Sequence, residues 1–156
     1  MTAAETLFHQ VYAEYGPALY RFCLLQMKNA ADAEDVLQEV FLKRLYRAPV
    51  FDSPEHEKRW LYRVAVNQCR DELRRSRRRE LPLEEAVLLS VPEPERALLA
   101  HVAALPEKLR TVIHLHYYEG YTVEELAGLL GVSVSGVKMR LMRGREALRR
   151  EMEGAE

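Results

Sequence analysis

The sequence has little cysteine and no long apolar run, and these absences exclude several classes of protein. Cys23 and Cys69 form no Cys-x-x-Cys pair and lie among apolar residues at helical spacing, so we expect two small buried hydrophobic side chains. The longest uncharged apolar stretches are pieces such as residues 97–100, whereas a membrane-spanning helix needs roughly 20 residues. The first seven residues carry an acid and no apolar core, unlike a secretory signal. We therefore expect a cytoplasmic protein that does not insert into membranes.

Residue sets that would indicate a metal site or a catalytic centre are also missing. His114 and His116 are two apart on a predicted helix, so their side chains diverge and do not suit one ion. Residues 131–138 faintly resemble a phosphate-binding loop, but Val137 stands where that loop requires lysine. No Ser-His-Asp set and no close carboxylate pair stands out. We expect no enzyme activity, no metal and no cofactor.

Charge is nearly balanced in total and very uneven along the chain. The formal net charge is −1, yet residues 59–79 hold eight basic side chains against two acids, and residues 136–150 hold six against one. Like charges four residues apart on a helix repel each other, so an ordinary solvated helix mixes both signs. Two basic blocks in an otherwise acidic chain therefore indicate two contacts with a polyanion.

Every segment with clear hydrophobic periodicity is typical of a helix, and no alternating β-branched run is present. The expected fold class is all-α, with two small helical domains over residues 1–79 and 95–156. Residues 80–94 contain three prolines and several acids, which predicts a flexible linker between them.

Helix boundaries in the first domain follow from caps and prolines. A capping box at Thr2 predicts a helix that ends near Gly16, and Pro17 predicts the start of the next helix, which runs to about Lys28. Asp32 is the expected cap of a third helix, which ends before Pro49. Its apolar residues recur at helical spacing and are expected to face the core: Val36, Leu37, Val40, Phe41 and Leu45. A long helix is expected over residues 54–78, with its cations toward the C-terminal end.

In the second domain, residues 122–145 have the pattern of a helix-turn-helix. A capping box at Thr122 opens a helix of about eight residues, Gly131 suits a left-handed turn, and a basic helix follows. The alternative is a helical hairpin with a solvated basic face. The predicted core between the two helices consists of Leu126, Leu130, Val132 and Val137.

Two further segments carry chemistry that suits binding. Trp60 and its neighbours precede the arginine run at 74–79, and aromatic rings beside cations can stack unpaired bases. Residues 33–41 form an amphipathic helix with an acidic outer face, which repels DNA and suits a protein partner with basic and apolar residues. The alternatives are that Trp60 is a core anchor and that the acidic face is merely solvated.

Taken in order along the chain, these motifs carry a resemblance to a known family. They are Ala33-Glu34-Asp35, Gln38-Glu39 and Phe41; then Trp60-Leu61, Val64-Ala65, Asn67, Asp71 and Arg74-Arg75; then Leu105-Pro106, Arg110 and the helix-turn-helix. This order resembles the extracytoplasmic-function group of the sigma-70 family over nearly the whole chain. The resemblance implies a sigma factor with conserved regions 2 and 4, which binds core RNA polymerase and directs promoter recognition and melting.

The resemblance also implies partners and a role for individual residues. The partners would be the beta-prime clamp and beta flap of core polymerase, and promoter DNA that is single-stranded at −10 and duplex at −35; an anti-sigma factor is left open. The clamp would contact Asp35, Gln38, Glu39, Phe41 and Leu42. The −10 element would contact Phe51, Ser53, His56, Lys58, Arg59, Trp60, Tyr62, Arg63, Asn67, Arg70, Arg74 and Arg75. The −35 element would contact Ser133, Ser135, Gly136, Lys138, Met139, Arg140, Arg143 and Arg145.

The sequence departs from the family pattern at three places. Gly136 offers no side chain early in the recognition helix, Gly144 stands where alanine is usual, and Phe51 is not followed by the common Arg-Gly. The promoter sequence preference is therefore not carried over from the family. Two other functions stay open at this point: a helix-turn-helix regulator that is not a polymerase subunit, and a helical decoy that binds an anti-sigma partner without DNA.

Overall fold

A computed structural model describes residues 2–75, 83–89, 91–93 and 95–154 of the 156-residue chain. The described residues form α-helices and one π-helical turn, and they contain no strand, which confirms the all-α expectation. The chain divides into two compact units, Met1–Arg78 and Arg79–Glu156. The first unit contains α1 (Ala3–Met27), α2 (Ala30–Arg47) and α3 (Pro54–Arg75). The second contains α4 (Glu85–Leu89), α5 (Glu95–Ala104), α6 (Glu107–Ile113), α7 (Val123–Leu130) and α8 (Val134–Gly154).

The first helix continues through Pro17, so the predicted break near Gly16 is wrong. Proline inside a helix costs about 3 kcal/mol because it removes one backbone donor and crowds the preceding turn. The buried face of α1 continues on both sides of that point, with Val11 before it and Leu19 and Phe22 after it. Each buried apolar side chain contributes about 1.5–3 kcal/mol, so the burial outweighs the proline.

The turn between α1 and α2 is capped by Asn29, where the sequence had predicted Asp32. Lys28 adopts a left-handed conformation, with φ 69°, and its N–H donates to the Leu24 carbonyl at 2.7 Å. The Asn29 side-chain oxygen then accepts from the Asp32 N–H at 2.9 Å, and Asn29 Nδ2 donates to Asp32 Oδ2 at 2.8 Å. One amide thus caps the backbone of α2 and holds the carboxylate in the first turn, where the helix dipole favours a negative charge.

The third helix closes the core of the first unit. Ser53 caps it, because Ser53 Oγ accepts from the His56 N–H at 3.0 Å. Cys23 and Cys69 are both buried, which confirms the expectation for the two cysteines. The predicted final turn of α3, residues 76–78, lies outside the described residues. Other fully buried side chains of this core are Phe22, Val36, Val40, Leu61, Tyr62 and Ala65.

In the second unit, a buried arginine fixes the junction between α5 and α6. Arg110 is fully buried, and its Nη1 donates to the carbonyls of Leu105 at 2.8 Å and Ala103 at 3.3 Å. Those carbonyls stand at the C-terminal end of α5, where backbone acceptors have no partner within the helix. Arg110 therefore acts as a side-chain cap from α6. The short α4 lies inside the segment that was predicted to be a flexible linker.

The first helix of the helix-turn-helix, α7, begins and ends where the sequence predicts. Thr122 and Glu125 make both hydrogen bonds of a capping box, and Gly131 has φ 68° at the end of α7. Leu126 and Val137 are fully buried, which confirms half of the predicted core. The other two predicted core residues, Leu130 and Val132, are only half-buried. The burial that they were expected to supply comes from Leu129 and Leu141.

At Gly144, α8 packs closely against α6. A β-carbon added at Gly144 would lie 2.8 Å from Ile113 Cγ1 and 3.0 Å from Ile113 Cδ1. Carbon atoms in van der Waals contact stand about 3.5–4.0 Å apart. The bulk of Ile113 therefore explains why glycine stands at this position, and the explanation lies in core packing.

Candidate nucleic-acid interface

The outer face of α2 is acidic and open to solvent. Asp35, Gln38 and Glu39 are exposed, and Leu42 is 46% exposed. Phe41 differs from them, because it is buried under the rings of Phe8 and Tyr12, at centroid distances of 5.9 and 4.9 Å. A side chain in that position holds α1 against α2 and does not reach a partner. We therefore remove Phe41 from the candidate contact residues.

Beyond Leu42, the end of α2 and the loop after it carry apolar side chains that the sequence analysis had not assigned to a surface. Leu45 was predicted to be in the core but is 44% exposed, and Tyr46 and Val50 are 77% and 95% exposed. Helical spacing places Leu45 beside Leu42, since the two are three residues apart. Together with the acidic residues, they give α2 an outer surface suited to a protein partner.

A cluster of ring and charged side chains holds the loop between α2 and α3. The Phe51 ring lies edge-on to His56 and Trp60, at centroid distances of 5.2 and 5.7 Å, and the Arg44 guanidinium carbon stands 5.0 Å from its centroid. Arg44 Nε and Nη2 donate to Glu57 Oε2 at 3.0 and 2.6 Å. The Arg44–Glu57 ion pair is mostly shielded from water, and it joins the end of α2 to the start of α3. It therefore holds the loop at both of its ends.

The start of α3 also contacts α1. Tyr15 donates its hydroxyl proton to the Pro54 carbonyl at 3.4 Å. Burial, and after it the negative charge of Glu57, raise the pKa of Tyr15 above its ordinary value. The hydroxyl, which is protonated at neutral pH even without this shift, is able to donate there.

One face of α3 is strongly cationic. Its members recur three or four residues apart, which places them on a single side of the helix next to Trp60. Tyr62 does not belong to this face, because it is buried and packs edge-on against Phe22 at 5.9 Å. Lys58 is half-buried near the core side of the helix. Tyr62 and Lys58 therefore fit the predicted set of −10 contacts less well than the residues of the cationic face. The face consists of Arg59, Arg63, Asn67, Arg70 and Arg74.

The N-terminal end of α8 is organised by Ser133. Its Oγ accepts from the Gly136 N–H at 3.0 Å and lies 3.3 Å from Ser135 Oγ. A β-carbon at Gly136 would stand 3.1 Å from that oxygen, which is tighter than ordinary contact. Glycine at position 136 therefore leaves room for the cap.

The cations of α8 stand on two flanks. Lys138 and Arg145 lie on one side of the helix, and Arg145 Nη1 donates to the Tyr117 hydroxyl at 3.1 Å. Arg140 and Arg143 lie on the other, with Arg143 exposed and Arg140 half-buried. Between the flanks the helix presents Met139, which was predicted, and Met142, which was not. The sequence signal that could have found Met142 is its position three residues after Met139 in the same basic helix.

An apolar groove of about 600 Å³ lies elsewhere in the second unit. It is formed by α5, the π-helical turn His114–Tyr118 and the second half of α8. Its wall includes Leu98, Val102, Leu148 and Met152, and Arg145 and Arg149 also line it. Its apolar lining with cations suits a partner segment that is apolar and acidic.

The two histidines set aside as a metal pair have separate contacts. His116 Nδ1 lies 2.7 Å from the Tyr121 carbonyl oxygen, and His114 Nε2 stands 3.7 Å from Glu119 Oε1. Within the described ranges, no group of three or more His, Cys, Asp or Glu side chains could hold a metal ion. None of the helices built from these residues is long and apolar enough to cross a membrane.

Comparison with known proteins matches both units to one family. Residues 11–79 match the model of Sigma-70 region 2, and residues 95–148 match Sigma-70, region 4. The chain is 32% identical to the ECF RNA polymerase sigma factor SigL of Mycobacterium tuberculosis, over 94% of this chain and 89% of that protein. It is 28% identical to the ECF RNA polymerase sigma factor SigW of Bacillus subtilis, over 95% and 90%.

Comparison with solved structures finds chains with a similar fold over nearly the whole length of this one. CnrH, in complex with the cytosolic domain of CnrY, gives a TM-score of 0.75 at 27% identity and covers 97% of this chain and 91% of its own. The sigma factor RpoE from Bartonella quintana, in complex with the anti-sigma factor NepR, gives a TM-score of 0.76 at 20% identity, over 94% and 96%, which shows the fold alone. The chain belongs to the extracytoplasmic-function group of the sigma-70 family. It is an RNA polymerase sigma factor, and the alternative of a regulator that is not a polymerase subunit is not favoured.

Proposed function

We propose that the first domain, residues 1–79, grips core polymerase and the −10 element, and that the second, residues 95–156, docks on the −35 element. The segment 80–94 links them. The observation that carries this division is the separation of charge on the described helices. The outer face of α2 is acidic, whereas α3 and α8 each present several cations. A polyanion is attracted to the second kind of face and repelled by the first.

Core polymerase would bind α2 through its clamp. The exposed acids Asp35 and Glu39 supply charge complementarity, and Leu42, with Leu45 beside it, supplies apolar area. Charged groups in such an interface set orientation and association rate, while buried apolar groups supply most of the affinity. The groove lined by Leu98, Val102 and Met152 is the proposed seat of the flap contact in the second unit.

The −10 element would be captured by the loop cluster and α3. Arginines 59, 63, 70 and 74 would follow the backbone, and Phe51 and Trp60 offer rings for unpaired bases. Base stacking on aromatic side chains is worth about 1–3 kcal/mol per base and is available only to unpaired bases, so it favours binding of the single strand. No bond is made or broken by the protein in this scheme. It acts in the cytoplasm with the polymerase, whose chemistry it directs.

The −35 element would be bound by α8. Its N-terminal part enters the major groove, as the second helix of a helix-turn-helix does, and its cations contact phosphates on either side. Ser133, Ser135 and the backbone at Gly136 stand where that helix begins, so they would meet DNA first.

The first experiment is multi-round transcription on a pooled fragment library, with sigma-free core polymerase and with or without this protein. Discrete start sites that appear only with the protein are the expected result.

Two variants then test the proposed division of roles between the polymerase-binding and DNA-binding helices. Arg143→Ala is expected to weaken duplex −35 binding, to lower the salt slope of that binding by about one phosphate contact, and to leave core binding unchanged.

The opposite behaviour is expected of Glu39→Lys, which should weaken core binding and spare duplex binding. Lys108→Ala removes an exposed cation of the second unit outside α8, and Glu84→Lys makes the same charge change outside α2; both should match wild type. Loss of core binding in Arg143→Ala would contradict the division. Retention of core binding by Glu39→Lys would remove α2 from the polymerase contact.

A further inference from the structure

Two methionines occupy the strip of α8 that lies between its cationic flanks. Met139 and Met142 are 44% and 48% exposed, although most other exposed side chains of this helix are charged. They are three residues apart, which places them about 60° apart around the helix axis and next to each other on the surface. Solvent does not favour two flexible apolar side chains side by side, so their exposure indicates a binding surface.

The cations around this strip define what it faces. Lys138 and Arg145 stand on one side of the methionines, and Arg140 and Arg143 stand on the other. Two rows of cations with an apolar strip between them match the major groove of duplex DNA. There, two phosphate rows border a groove about 12 Å wide that admits one helix. The methionines would then lie over the edges of the base pairs.

The groove floor offers one kind of apolar group. Guanine, cytosine and adenine present only donors and acceptors there, whereas thymine adds its C5-methyl group. Methionine has no donor and only a weak acceptor, so it cannot read the polar edges in the way that arginine or glutamine does. We propose that Met139 and Met142 recognise thymine methyl groups, and that A·T pairs opposite these side chains are part of the −35 preference of this protein.

This inference rests on the proposed role of α8, and the experiment separates the two. Duplexes are selected from a random library by the full-length chain, once with thymidine and once with deoxyuridine in its place. Deoxyuridine keeps the pairing edge and O4 and lacks only the methyl group. Wild-type protein should enrich thymine at one or two adjacent positions in the first library and show no enrichment there in the second.

Affinity for a selected duplex gives the magnitude. Replacing one contacted thymidine by deoxyuridine should weaken binding about fourfold, because one buried methyl-sized group is worth about 0.8 kcal/mol and 1.4 kcal/mol is a factor of ten. In the doubly substituted Met139→Ser, Met142→Ser chain, the two duplexes should bind within twofold of each other. Substitution of both residues by leucine should restore the difference, because leucine is apolar and of similar volume.

Leu89→Ser is the matched control, since Leu89 is 60% exposed on α4, outside α8 and the groove, and it should keep the wild-type difference. A wild-type chain that binds both duplexes equally overturns the methyl contact while leaving duplex binding intact. A difference that persists in the double serine variant also overturns it, because another group would then read the methyl. If no duplex is selected at all, the proposed role of α8 fails and the methyl contact fails with it.

Discussion

Replacement of Gly144 by alanine should reveal how closely α8 packs on α6. The new β-carbon would stand 2.8 Å from Ile113 Cγ1, so one of the helices or the isoleucine must move by several tenths of an ångström. Overpacking of this kind costs about 1–3 kcal/mol, and alanine regains about 1 kcal/mol through its better helix propensity. The expected net result is a loss of about 1 kcal/mol in the free energy of unfolding of the second unit, or about 4–8 °C in its Tm.

A double-mutant cycle isolates the clash. In an Ile113→Ala background both crowding atoms are gone, so Gly144→Ala should stabilise by about 1 kcal/mol. The sign of the Gly144→Ala effect therefore reverses, with a coupling energy of about 2 kcal/mol. Urea unfolding followed by far-UV circular dichroism measures it. Trp60, the single tryptophan, lies in the first unit, and its fluorescence transition should not move. Equal effects of Gly144→Ala in both backgrounds would refute the packing argument.

Two other substitutions test the contacts of each unit. Arg110→Met should lower the free energy of unfolding by about 2–4 kcal/mol, because it leaves buried carbonyls at the end of α5 without the cation; thermal melting measures this, and a variant as stable as wild type would contradict it. Arg44→Met should loosen the loop that holds Phe51, shift Trp60 emission and weaken single-stranded −10 binding, while duplex −35 binding stays the same. Arg47→Met, which removes an exposed arginine from the same turn of α2, should change none of these, and an equal effect would exclude Arg44 as the support.

Local signals predicted the helix-turn-helix well. The Thr122 capping box and the left-handed Gly131 act through neighbouring residues, so the sequence contains the whole interaction. Pro17 shows the limit of such signals. Its local preference ends a helix, but the burial that carries α1 onward depends on α2 and α3, which the sequence does not place.

For the candidate site, the sequence indicates which types of residue are present, but it indicates less well which of their side chains face outward. Phe41 and Tyr62 fall within motif positions, yet the structure buries both. A family motif contains residues kept for packing as well as residues kept for contact, and the letters alone do not separate them. Conversely, Leu45 has the spacing of a core residue, but the structure leaves it 44% exposed.

In the first unit, the proposed polymerase surface and the proposed −10 site share one helix. That helix is α2, which carries the acidic face and also Arg44, the residue that contacts Phe51. The acids of α2 and Leu42 face outward, and two residues later Arg44 binds Glu57 of α3 and lies over Phe51. A partner that holds α2 therefore also fixes the residue that positions the loop. Two hydrogen bonds to Glu57 hold the Arg44 guanidinium, and its contact with the Phe51 ring, worth roughly 0.5–2 kcal/mol, opposes movement of that ring. The ordering of this loop is thus achieved before DNA arrives, which lowers the entropy that capture of an unpaired base must overcome.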